Sequence, residues 1–222
     1  PEGWTIGEPD VVFEIPGPQT IPAQGTMPYV YVTVPTNFTE DTWIQAAEAR
    51  PGDAAVVHHI IVFVDSPGER RGRGIDGMGH LCGYAPGDMP SVFPPGTAKR
   101  IPAGSTLRFQ IHYTPNGVAT TDRSKVGFIL ASEPPRREAV TVGIANPRFL
   151  IPAGAGAHPV QSQVPVRKPT RLLSFMPHMH LRGKAFKYTL EERGKDPEVL
   201  LDVPAFDFGW QSYYLLAEPR EL

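Results

Sequence analysis

The sequence holds one cysteine, Cys82, among 222 residues. A single thiol excludes an internal disulfide and every paired-cysteine device, including CxxC redox motifs and covalent c-type haem attachment. Room for helix is equally scarce: the longest proline-free interval is the 19 residues 178–196. An interior proline costs a helix about 3 kcal/mol, so an all-helical fold does not suit this chain. No apolar run approaches the roughly 20 residues of a membrane-spanning helix. The longest, around residue 58, is broken by two histidines. An excess of one charge is lacking too. The 21 basic and 23 acidic residues leave a net charge of −2, which gives no electrostatic footprint for nucleic acid. A run at 69–73 with three arginines reads as a solvated loop. Walker A, GxSxG, HExxH and EF-hand signatures are absent. The GxGxxG-like stretch at 72–77 opens no helix, because Gly79 and Pro86 follow it closely.

What the sequence does have is turn residues and alternation. Proline (26) and glycine (22) together make about a fifth of the chain, well above the usual sum of about 12%. That composition fits short strands joined by tight turns. Alternation predicts strands at 29–34, 55–64 and 106–113, with further candidates at 125–130, 140–144, 172–176, 185–191 and 212–216. In the third of these, Leu107, Phe109, Ile111 and Tyr113 face one side and Arg108, Gln110 and His112 the other. The one helical candidate is 41–50. The phrase Ile-Pro-Ala recurs at 21, 101 and 151 with a glycine close behind, and each copy reads as a turn feeding a strand. Glu133-Pro134-Pro135-Arg136-Arg137 is stiff and polar. It predicts a boundary between two antiparallel β-sandwiches, 1–134 and 135–222.

Histidines carry the candidate chemistry. Five of the seven fall in or beside predicted strands, as His58-His59, His112 and His178-Met179-His180. Neutral imidazole is the commonest metal ligand, and a strand fixes its direction. Residues two apart on a strand share a face about 6.5–7 Å apart, so His178 and His180 can converge on one ion. Neighbours such as His58 and His59 point to opposite faces of a regular strand. Both reach one ion only if the strand bends or different ring nitrogens are used. His112, on the polar face of its strand, can supply a third ligand. Ordinary hydrogen bonding accounts for any one of these histidines singly. The set is harder to explain that way, since each group inside an apolar strand needs a partner. His80 and His158 lie in Gly- and Pro-rich stretches and read as ordinary polar residues.

Val56-Val57-His58-His59-Ile60-Ile61, Phe109-Gln110-Ile111-His112-Tyr113 and His178-Met179-His180-Leu181-Arg182-Gly183-Lys184 occur in one order. In that order the chain resembles the copper type II, ascorbate-dependent monooxygenases, the family of dopamine β-monooxygenase and peptidylglycine α-hydroxylating monooxygenase. The resemblance runs from the first strands to about Glu191. It implies two jelly-roll-like sandwiches, the second truncated here, and two coppers served by ascorbate or another reductant. His58, His59 and His112 match the copper that stores and delivers an electron. His178 and His180 match two ligands of the catalytic copper, where dioxygen hydroxylates a C–H bond of a small-molecule substrate.

The chain also departs from the family. The methionine that completes the family's second copper site has no match before Leu222; Met176 and Met179 are near but not at that position. Met176 stands where the amidating branch carries an arginine for the substrate carboxylate, which argues against peptide amidation. The expectation is a copper monooxygenase-like module of a longer extracytoplasmic protein, in the periplasm or secreted. The alternative is a non-catalytic copper-binding or electron-transfer subunit working with a partner redox domain. The second site is expected to bind weakly within residues 1–222.

Overall fold

A computed structural model describes residues 3–68, 79–209 and 212–222. The arginine-rich run at 69–73 and the GxGxxG-like stretch at 72–77 lie outside the described residues. The fold is all-β. In chain order the strands are β1 (Val11–Glu14), β2 (Gln19–Ile21), β3 (Val30–Pro35), β4 (Thr42–Arg50), β5 (Val57–Asp65), β6 (His80–Tyr84), β7 (Ser91–Val92) and β8 (Thr97–Ile101). They continue with β9 (Thr106–Tyr113), β10 (Thr120–Asp122), β11 (Lys125–Leu130), β12 (Arg137–Glu138), β13 (Arg171–Phe175), β14 (Phe186–Leu190), β15 (Glu198–Val203) and β16 (Tyr214–Glu221). The chain forms two compact units, Pro1–Ile144 and Ala145–Leu222.

The first unit is a sandwich of two sheets. One sheet has the order β1-β11-β4-β8-β12, with β7 also paired to β4; the other has the order β3-β9-β5-β6. Every pairing in them is antiparallel except the short β12–β8 contact. Alternation explains the layering, because period-2 strands present one apolar face each. Phe13, Ile44, Ala47, Val126 and Phe128 come from the first sheet. They meet Ile60, Val62, Leu107, Phe109 and Ile111 from the second in one core. Burying each large side chain of this kind contributes roughly 1.5–3 kcal/mol. β9 lies between β3 and β5, and its even rhythm of buried and half-buried residues puts His112 on the outer face.

The second unit consists of two ladders, β13–β16 and β14–β15. Phe175 on β13 is buried, and the rings of Phe175, Tyr188 and Phe186 stack in series at 4.4 and 4.9 Å.

Three expectations need correction. Residues 41–50 are not helical; β4 occupies them and pairs with both β11 and β8. Tertiary pairing overrides the helix-tolerant Gln45-Ala46-Ala47-Glu48-Ala49, since Ala47 and Ala49 pack into the core between the sheets. Residues 140–144 form no strand, and Val140, Val142 and Ile144 stay exposed. The Ile-Pro-Ala turns form with Gly25, Gly104 and Gly154 at positive φ. The first two feed β3 and β9, while the third lies in a stretch without a strand before β13.

Candidate metal centre

The two adjacent histidines come to one face through a bulge. β5 pairs with β9 at Val57↔Tyr113 and next at His59↔His112, so His58 is an extra residue in the ladder. A bulge sets two residues against one and re-aims a side chain. Here it puts His58 beside His59 rather than in the core, while Val57 and Ile60 on either side remain buried.

The three imidazoles then form a near-equilateral triangle. Ring centroids are 5.3 Å apart for His58–His59, 5.1 Å for His58–His112 and 5.3 Å for His59–His112. One ring nitrogen from each lies within 4.8 Å of the others, and among the described residues this is the one group of three or more such donors. His58 Nδ1 and His59 Nδ1 are 3.0 Å apart. The Nδ1 of His112 is buried and has no hydrogen-bond partner. Burial, and secondarily the neighbouring His58, lower the pKa of His112 and favour its neutral, ligand-competent form. A buried, unpartnered nitrogen on a ring clustered with two more imidazoles fits a bound transition metal.

Tyr29, just before β3, completes the wall. Its ring lies 4.9 Å from that of His112 and 5.7 Å from that of His59. Sequence reasoning missed this residue, because only the β3–β9 register places it there.

His178 and His180 lie in the second unit, just past β13. The pair is not in a ladder: Pro177 has no N–H to donate, and strand pairing stops before it. Their rings are nevertheless 5.1 Å apart and nearly perpendicular, with Phe208 6.3 Å from His180. The second unit also holds a cavity of about 270 Å³ lined by Pro177, Val203, Phe206, Asp207, Ser212 and Tyr214 among others, but by neither histidine. Met179 packs against Gly183, where an added Cβ would come within 2.7 Å of it.

The remaining candidates are inert. Cys82 is fully buried, and desolvation pushes its thiol up to about 12. His80 opens β6 rather than a loop and is buried, its ring 6.0 Å from that of Phe63.

No protein-family model matches the chain, and no curated protein matches it. The metal centre is therefore read from its geometry alone.

Proposed function

We propose that the chain is a copper-binding module of the monooxygenase type, with His58, His59 and His112 holding one copper and His178 and His180 contributing to another. The observation that carries this reading is the convergence of three imidazoles at a bulge, with His112 Nδ1 buried and unpartnered. Imidazole donors suit copper, zinc, iron and nickel; the resemblance to the copper monooxygenases favours copper among them. When bound, copper supplies one-electron redox chemistry and, with dioxygen and a reductant such as ascorbate, hydroxylation of a C–H bond. The residues supply the setting. The ladder fixes His59 opposite His112, the bulge turns His58 toward them, and the Tyr29 ring packs beside His112. The cavity that Pro177 helps to line is the nearest candidate for a small-molecule subsite in the second unit. An extracytoplasmic location accords with this chemistry.

A second reading is a copper-binding or electron-transfer subunit without catalysis. It is favoured by one observation: among the described residues only the triad gathers three donors, while His178 and His180 form a pair.

Anaerobic copper titration followed by oxygen-uptake assays with ascorbate tests both. Copper binding that is lost in His112→Ala, with reductant-dependent oxygen uptake coupled to product, supports the monooxygenase. Copper binding and reduction without coupled uptake selects the electron-transfer subunit. No copper binding that depends on the triad overturns both.

A further inference from the structure

We propose that Asp122 and Tyr113 are positioning residues for the histidine triad: one buried carboxylate holds the bulged register that turns His58 toward the metal. The inference rests on the triad being a metal site.

Asp122 is 1% exposed and accepts five hydrogen bonds. Its Oδ1 accepts from Gly52 N at 2.7 Å and Asp53 N at 2.9 Å, the turn that leads into β5. Its Oδ2 accepts from the Tyr113 hydroxyl at 2.9 Å, and from the Oγ and N of Ser124 at 2.7 and 3.1 Å. A single side chain thus joins the entry of the strand bearing His58 and His59 to the residue that follows His112. The turn is closed by further bonds: Val57 N donates to Asp53 O, Thr114 N to Val56 O and Thr120 Oγ1 to Asp53 Oδ2. Gly52 permits the approach, for a Cβ there would lie 2.7 Å from the Arg123 nitrogen.

The position of this clamp matters because β5 could pair in another register. A strand that slips by one residue exchanges its faces. Continuing the regular ladder from Val57↔Tyr113 would set His58 opposite His112 and send His59 toward the core, leaving two imidazoles at the site. The hydrophobic pattern from Ile60 onward holds the far side of the bulge. Asp122 holds the near side, by fixing residues 52, 53 and 113 to one point. A bulge persists only while both flanks are held, so loosening the near flank releases His58 first.

The test uses the full chain in a His178→Ala/His180→Ala background, so that copper reports the triad alone. Cu(II) affinity is measured by competition, and the coordinated imidazoles are counted at saturating copper by pulsed electron paramagnetic resonance. Tyr113→Phe deletes one oxygen, and Asp122→Asn removes the charge while keeping the shape; far-ultraviolet dichroism establishes that each is folded. The expected result is three imidazoles in the background protein, and two in either folded variant with affinity lower by about 10–100-fold, the range for a lost outer-shell partner. A merely structural role would lower the melting temperature and leave the imidazole count at three. Three imidazoles at unchanged affinity in a folded Tyr113→Phe protein overturn the inference while the metal site stands. A background protein that binds no copper overturns the metal reading, and the inference with it.

Discussion

At the scale of single residues, the histidines divide by environment. His112 has a buried nitrogen without a partner, a cost that a metal would relieve. Copper at a thousand times its dissociation constant should therefore stabilise the folded chain by about 4 kcal/mol. Differential scanning calorimetry should show that upward shift in melting temperature, with a chelator reversing it. In His112→Ala the shift should shrink to whatever the second site provides. His80 lies apart from the triad, and burial first and the nearby Lys99 second lower its pKa from 6.5 to about 3. Above about pH 6.5 both folded and unfolded chains carry it neutral. As pH falls below that value the unfolded chain takes up the proton and the folded chain does not, so stability is lost progressively down to about pH 3. The loss from this group should reach about 2 kcal/mol by pH 5, at 1.36 kcal/mol per pH unit. Urea unfolding at pH 7.5 and 5 should show it, and His80→Leu should flatten the dependence; an equal loss in that variant would rule His80 out as the source.

At the scale of elements, β5 and β9 build the triad together and neither does so alone. β9 is regular, and its alternation puts His112 outside and Phe109 and Ile111 inside. β5 carries one residue more than its partner requires. Deleting His58 should restore a regular ladder, with Val57 still opposite Tyr113 and His59 still opposite His112. The expected protein keeps its strand content and loses most copper affinity at the triad, by at least tenfold. His58→Ala should lose the same ligand and retain the bulge. Dichroism and copper competition on the two variants check this, and a deletion variant that binds copper as tightly as the parent would exclude the bulge as the device.

At the scale of the whole molecule, the two units are built differently. The first has a continuous core between two sheets, with β12 and the backbone of Ala139 attached to β8. Lys99 on β8 also donates to Thr141 Oγ1 at 2.7 Å. A chain of residues 1–144 should therefore fold alone and keep the triad's copper. A cut at 134 removes those attachments and should lower the unfolding midpoint. Two classes of copper site are expected in residues 1–222, with the three-imidazole site at least tenfold tighter than the His178–His180 pair. Isothermal titration of 1–222 against 1–144 should show the weaker class only in the longer chain.

Much of this was already legible in the chain. Proline spacing argued against a helical protein, and the clean period-2 run at 106–113 located β9 to the residue, because an alternating strand carries its two faces in its own pattern. His58, His59 and His112 were visible for the same reason, as polar interruptions of apolar strands, whereas His178 and His180 lie past the end of β13. Residues 41–50 were misleading, since a helix-compatible run becomes a strand once β11 and β8 flank it. The meeting of His58, His59 and His112 was left to tertiary structure. Local periodicity assigns adjacent residues to opposite faces, and only pairing with β9 reveals the extra residue that breaks that rule. Tyr29 and Asp122 were invisible for a related reason. Their roles depend on distances across 83 and 64 positions of sequence, to His112 and His58 respectively, and such distances are set by strand order and register rather than by anything local.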